Sequence, residues 1–148
     1  MLVKRFLIAD DSEIARRLLR DLLTRNPEWL VCAEAVDGLK AVELAAITQP
    51  EFAILDLQMP RLHGIEAARQ IGALFASIPV LIISSHDPDL VMAELKSTQI
   101  RGFLSKTSLD PELFLAIETI LAGGTYFPKP KPPDEGVQGN PAGAEAGN

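Results

Sequence analysis

Five short apolar runs, each followed by an amphipathic stretch, punctuate the chain as far as Leu121. They are Phe6-Leu7-Ile8-Ala9, Leu30 to Val36, Phe52-Ala53-Ile54-Leu55, Val80-Leu81-Ile82-Ile83 and Gly102-Phe103-Leu104. Continuous apolar runs of this length read as strands buried on both faces. The stretches between them are long enough for helical crossovers, which imply parallel strands joined by right-handed connections. The expectation is an α/β chain with a doubly wound parallel sheet in the order 2-1-3-4-5. Its switch point then lies between the first and third strands, where open sheets of this kind bind ligands.

Helix signals fill the intervals. Ser12 is placed to cap the first helix, with Ile14, Leu18, Leu19, Leu22 and Leu23 as its apolar stripe and Arg16, Arg17, Arg20 and Asp21 facing water. Asn26-Pro27 should end it. Asp37-Gly38 opens a second helix carrying Leu39, Val42, Ala45 and Ala46, and a third carries Ile65, Ala68, Ile71 and Phe75. Asp87-Pro88 and Asp110-Pro111 each look like a cap followed by proline at the first helical position. The fourth helix carries Leu90, Val91 and Leu95, and the fifth Leu113, Phe114, Ile117 and Leu121, until Gly123-Gly124 stops it.

After Thr125 the composition changes to alternating proline and glycine, from Pro128 to Gly147, with few apolar residues. Such a segment buries too little surface to offset its ordering entropy. Residues 1–124 are therefore expected to form one domain and 125–148 a flexible tail or linker. Tyr126 and Phe127 are expected to pack back on the last helix, because two adjacent aromatic rings would otherwise stand exposed.

Composition narrows the function. The formal charge of −6 argues against gripping a phosphate backbone. No helix-turn-helix pattern or basic recognition helix is evident, so DNA contact would need a further output domain. No apolar stretch approaches the ~20 residues of a membrane span, and the N-terminus shows no signal-peptide pattern. A cytoplasmic protein is expected. Cys32, the one cysteine, excludes an intrachain disulfide and reads as a small buried hydrophobe of the second strand.

The polar residues that end the strands carry the chemistry. Asp10-Asp11, Asp56, Ser84 and Lys106 follow the first, third, fourth and fifth runs, and a parallel sheet gathers all of them on one edge. Three carboxylates at such a crevice repel, each pair ~4 Å apart by about 4 kcal/mol at an effective dielectric of ~20. A hard divalent cation offsets that with few protein ligands and several waters: Mg²⁺, or Mn²⁺ in its place. Lys106 adds a point charge and Ser84 a hydroxyl donor for phosphoryl oxygens. A carboxylate in this setting can act as a nucleophile and form an acyl phosphate. Taken singly, Asp10-Asp11 would be a helix cap, Asp56 a turn residue and Lys106 a solvated charge; their joint placement with Ser84 reverses that reading.

With Asp10-Asp11, Asp56-Leu57-Gln58-Met59-Pro60, Ser84-Ser85 and Phe103-Leu104-Ser105-Lys106 at successive strand ends, the chain resembles a response-regulator receiver domain of two-component signalling over residues 4–122. The resemblance implies a flavodoxin-like (βα)5 fold. It also implies Asp56 as phosphoacceptor and Mg²⁺ held by Asp10, Asp11, Asp56 and the backbone carbonyl of Gln58. Ser84 and Lys106 would contact the phosphoryl oxygens, and Phe103 would be a switch that moves inward when Ser84 is drawn to the phosphate. The run Ile120 to Phe127 is similar to LuxR/NarL-type receivers, which precede a helix-turn-helix output domain.

A histidine kinase would supply the phosphoryl group. Homodimers would form through helix 4, strand 5 and helix 5, or through helices 1 and 5. The alternative is a stand-alone receiver that docks to a partner or serves a phosphorelay. No enzymatic turnover beyond self-catalysed phosphotransfer and autodephosphorylation is expected. Thr107 stands where many receivers have proline, Ser84 where threonine is commoner, and Phe103 lacks a tyrosine hydroxyl. None of the three removes a chemical role.

His86 and Gln58, near the crevice rim, are candidates for setting how water reaches the phosphate. His63 has no evident partner and no role assigned. Two other classes fit less well. Phosphatases of the haloacid dehalogenase type need an acid two residues after the nucleophile, where this chain has Gln58. A flavodoxin-like electron carrier needs a hydroxyl- and glycine-rich phosphate loop, and Asp10-Asp11-Ser12-Glu13 would repel that phosphate.

Overall fold

The computed structural model describes residues 3–90, 92–96 and 99–128. It contains β1 (Lys4–Ala9), α1 (Glu13–Leu23), β2 (Trp29–Ala35), α2 (Gly38–Thr48), β3 (Phe52–Asp56), α3 (Gly64–Leu74) and β4 (Val80–Ser84). A 3-10 turn at Pro88–Leu90 precedes the short α4 (Met92–Lys96); β5 (Ile100–Ser105), a second 3-10 turn (Lys106–Ser108) and α5 (Leu109–Leu121) complete the order. All strand pairs are parallel and the sheet runs β2-β1-β3-β4-β5, as expected. The proposed tail from residue 129 onward, Val91, and the side chain of Leu90 in the fourth helical segment lie outside the described residues.

Strand alternation divides the core into two layers. Leu7, Ala9, Ala53, Leu55, Val80, Ile82 and Phe103 face one cluster with Ala41, Ala45, Ile65, Ile71 and Leu95 from α2, α3 and α4. Phe6, Ile8, Phe52, Ile54, Leu81, Ile83 and Leu104 face the other, with Leu19, Leu22 and Leu23 of α1 and Leu113, Ile117 and Ile120 of α5. The central strands β3 and β4 are buried throughout, which is why they read as unbroken apolar runs.

Several helix details differ from expectation. Ser12 does cap α1, its side chain accepting from Ala15 N–H. The buried face of α1 is Leu19, Leu22 and Leu23; Ile14 is 82% exposed and Leu18 41%. Residues 14 and 18 lie about 100° round the helix from 15 and 19, which turn towards the sheet. The same rotation brings Arg16 inward, where water was expected. On α2 the inward positions are Gly38, Ala41 and Ala45, so Leu39 and Ala46 face outward while Val42 is half-buried.

The end of α1 comes at Leu23, before Asn26-Pro27, because Thr24 closes the last turn by donating to Arg20 O. Helix α5 starts at Leu109 with Ser108 as cap residue, so Asp110 sits in the first turn rather than at the cap. Asp87 accepts from Asp89 N–H and opens a 3-10 turn instead of α4 itself. Strand β2 begins at Trp29, one residue earlier than read, and Cys32 within it is only partly buried, because β2 is an edge strand. Tyr126 packs back beside α5, as expected, whereas Phe127 packs on the opposite layer, which contains α2, α3 and α4.

Candidate functional site

The C-terminal ends of β1, β3, β4 and β5 bring Asp10, Asp56, Ser84 and Lys106 together. Asp10 is fully buried, with its backbone and one carboxylate oxygen held by hydrogen bonds. Its N–H donates to Ala35 O at 3.1 Å, its Oδ1 accepts from Ser12 N–H at 2.9 Å, and its carbonyl accepts from the Arg16 guanidinium at 2.7 Å. The other carboxylate oxygen, Oδ2, has no hydrogen bond of good direction; its partner is the Lys106 ammonium 2.8 Å away. The same ammonium lies 3.4 Å from Asp56 Oδ1. Asp56 is 5% exposed. Its backbone is clamped from below by Gly64, where an added Cβ would stand 2.3 Å from Asp56 O; only glycine lets α3 start so close.

Oxygens of Asp10, Asp11 and Asp56 lie within 4.8 Å of one another, with Asp11 exposed and the other two buried. The cluster of three carboxylates thus holds one ammonium, paired with two of them, Asp10 and Asp56. The imbalance shows in Asp56, whose carboxyl is pushed up to about 6 by burial and by Asp10, against the lowering pull of Lys106. For Lys106, burial works to lower the ammonium, but its contact with Asp10 and the charges of Asp10 and Asp56 outweigh it and raise the value. A buried carboxylate oxygen with a single cationic partner, in a cluster short of positive charge, fits an oxygen-ligated divalent cation. Asp10, Asp11 and Asp56 could hold Mg²⁺.

Ser84 is 1% exposed, and its Oγ accepts from His86 N–H at 2.9 Å, leaving the hydroxyl proton free to donate elsewhere. Gln58 and the His86 side chain are exposed. Phe103 is inward, 2% exposed, in the layer that contains α3 and α4. In place of a proline after Lys106, Ser105 caps the 3-10 turn, its Oγ accepting from Thr107 N–H at 3.2 Å. His63, given no role above, is the α3 cap residue, with Nδ1 accepting from Ile65 N–H at 3.4 Å.

Arg16 and Glu34 are the residues that sequence reasoning missed. Arg16 Nε lies 3.4 Å from Glu34 Oε1, and Arg20 bonds the same carboxylate. Glu34 thus aims Arg16 at the Asp10 carbonyl. The available signal was a lone carboxylate within the otherwise apolar Leu30–Val36 run.

A family profile for the response regulator receiver domain matches residues 6–118. The chain belongs to the response regulator receiver family. The receiver is 31% identical over 120 residues to the transcriptional regulatory protein DegU of Brevibacillus brevis, covering 81% of this chain and 51% of that one. It is 41% identical over 96 residues to a protein-glutamate methylesterase/protein-glutamine glutaminase of Myxococcus xanthus, covering 63% of this chain and 27% of that one.

Among solved structures, a LuxR-family two-component response regulator from Aurantimonas superposes with a TM-score of 0.79 at 34% identity, covering 84% of this chain and 89% of the other. The signal receiver domain of the putative response regulator NarL from Mycobacterium tuberculosis does so with a TM-score of 0.76 at 31% identity, covering 83% and 99%. This is the receiver of a two-component response regulator, with LuxR/NarL-type relatives. It spans about half the length of the curated transcriptional regulators it matches, 51% of DegU and 56% of YxjL from Bacillus subtilis. Among the described residues no helix is long and apolar enough to cross a membrane.

Proposed function

We propose that the receiver accepts a phosphoryl group on Asp56 from a phosphohistidine of a sensor kinase. The observation that carries this reading is the Lys106 ammonium set 2.8 Å from Asp10 and 3.4 Å from Asp56, with a third carboxylate in reach and the charge still unbalanced. Asp56 Oδ attacks phosphorus as the P–N bond to the donor imidazole breaks, and the released nitrogen takes a proton. Asp10, Asp11, Asp56 and the Gln58 backbone carbonyl would hold Mg²⁺ (or Mn²⁺), which would supply the positive charge that lets an anion approach three carboxylates. Lys106 then pairs with a phosphoryl oxygen, and Ser84, keeping its His86 bond, donates its hydroxyl proton to another. Phe103 follows Ser84 as the switch.

Wild-type protein with acetyl phosphate and Mg²⁺ is expected to take up one phosphoryl group per chain, and Asp56→Asn none. Equal labelling of the two would overturn the assignment. Gln58 and His86 stand at the rim and set the access of water to the acyl phosphate. Loss of phosphate at unchanged rates in both Gln58→Ala and His86→Ala would remove them from that role.

We assign the receiver to a cytoplasmic regulator whose output domain binds DNA, on the strength of the relatives named as transcriptional regulators. The linker then follows Phe127 rather than residue 124, since Tyr126 and Phe127 are bonded to and packed on the domain. Pairing of two copies through α1 and α5 is supported by apolar side chains left in solvent on both helices: Ile14 82%, Leu18 41% and Leu115 59% exposed. The other face, α4, β5 and α5, carries the Phe103 switch. Sizing the protein with and without the phosphoryl donor tests dimerisation, and Ile14→Glu separates the two faces.

A further inference from the structure

The chain does not leave the domain where α5 stops. Gly123, at a φ of +100°, reverses its direction, and Gly124 N–H donates to Thr119 O at 3.0 Å. Residue 126 then pairs with the free edge of β5. Tyr126 N–H donates to Arg101 O at 2.9 Å, and Phe103 N–H donates to Tyr126 O at 2.9 Å, a one-residue parallel bridge opposite Gly102. The Tyr126 phenol donates to the Glu112 carboxylate of α5 at 2.6 Å. Phe127 packs on the layer that contains Phe103, and Tyr126 on the opposite layer. Gly102 permits this approach, since a Cβ there would lie 2.8 Å from Tyr126 O.

We propose that the β5 edge at Arg101–Phe103 is a strand-docking site, occupied by the chain's own Thr125–Phe127, and that this contact carries the state of the acceptor site to whatever follows residue 128. The inference rests on the aspartyl-phosphate reading given above. Three features of the chain support it. The amide that donates to Tyr126 O belongs to Phe103, the switch residue itself. Phe103 pairs in register with Ile82 and Ser105 with Ser84, so β5 lies beside the strand that delivers the phosphate-binding hydroxyl. Lys106, three residues beyond Phe103, is ion-paired to both buried carboxylates.

The Phe103 amide lies in the sheet plane and faces Tyr126, while its inward ring belongs to the layer that receives Phe127. Occupying the acceptor site favours that inward ring and therefore favours docking. By reciprocity, docking favours the occupied acceptor. Two backbone bonds and one side-chain bond make a contact small enough to open locally without unfolding the domain.

The test uses the full chain and amide hydrogen exchange at Phe103 and Tyr126, with and without Mg²⁺ and beryllofluoride. Exchange at both amides is expected to slow by about fivefold or more when beryllofluoride is bound. Tyr126→Pro, which removes the N–H given to Arg101, should speed Phe103 exchange and abolish its response. Glu112→Gln keeps the backbone bridge, weakens the phenol bond and should give a smaller change in the same direction. Bound beryllofluoride with unchanged Phe103 and Tyr126 exchange would overturn the inference while leaving the acceptor reading standing. Phe103 exchange in Tyr126→Pro equal to wild type would overturn it too. Failure of beryllofluoride to bind wild type at all would bring down the acceptor reading, and this inference with it.

Discussion

The two edges of the sheet carry similar residue types and do opposite things with them. At the N-terminal edge, Arg5 donates to the carbonyls of Gln49 at 3.0 Å and Thr48 at 2.7 Å, while its own N–H is taken by Glu51. A cavity of about 620 Å³ opens beside these groups, lined by Lys4, Glu51, Ile78, Arg101 and their neighbours. Charges there close helix ends and face solvent. At the C-terminal edge two carboxylates are buried, and one ammonium serves both. The hollow holds no such cluster among the described residues, and the C-terminal edge is short of positive charge, which a divalent cation would offset. In this fold the candidate site follows the unbalanced charge, not the volume.

The largest effect should come from pushing the C-terminal edge apart. Gly64→Ala sets a Cβ against Asp56 O, and urea unfolding is expected to show a loss of about 3 kcal/mol. Phosphoryl uptake by the fraction that remains folded should fall as well. The metal-free charge deficit gives the next effect. With the Asp56 carboxyl near 6 in the fold against an ordinary 3.8, the folded state binds more proton than the unfolded state between those values. Asp56 therefore makes the metal-free protein more stable as pH falls from 7 towards 4, by about 2 kcal/mol. Saturating Mg²⁺ should flatten that dependence, and Asp56→Asn should lack it. A metal-free stability that drops over the same window in wild type but not in Asp56→Asn would reverse the sign and refute the deficit.

Arg16→Ala removes a charged donor from the Asp10 carbonyl and is expected to cost about 1.5 kcal/mol and to weaken Mg²⁺ binding. Arg16→Lys should recover part of the Mg²⁺ affinity, measured by calorimetry. The smallest change belongs to the other edge. Lys4→Ala beside the large cavity should move stability by less than about 0.5 kcal/mol and leave phosphoryl uptake unaltered. A large loss of uptake in that variant would abolish the contrast between the edges.

Much of this was legible from residues alone, for a physical reason. Parallel strands covered on both faces must be apolar throughout, so β3 and β4 announce themselves, and their first polar residues, Asp56 and Ser84, mark the edge. The inward face of α1 was less legible. Five apolar residues spread over a wide arc of helix, and only contact with the sheet shows that Leu19, Leu22 and Leu23 are core while Ile14 and Leu18 are not. Arg16 looks like its neighbours Arg17 and Arg20 until β2 places Glu34 opposite it. The adjacent aromatic rings signalled that Tyr126 and Phe127 pack back, but the backbone bonds of Tyr126 to β5 leave no sequence trace beyond an isolated glycine, Gly102, inside a strand.

Tyr126 and Phe127 are neighbours in the chain yet belong to opposite layers of the molecule. Together they straddle the rim of the sheet like the jaws of a clip. A force that slides the α1–α5 layer against the α2–α4 layer pulls the two jaws in different directions.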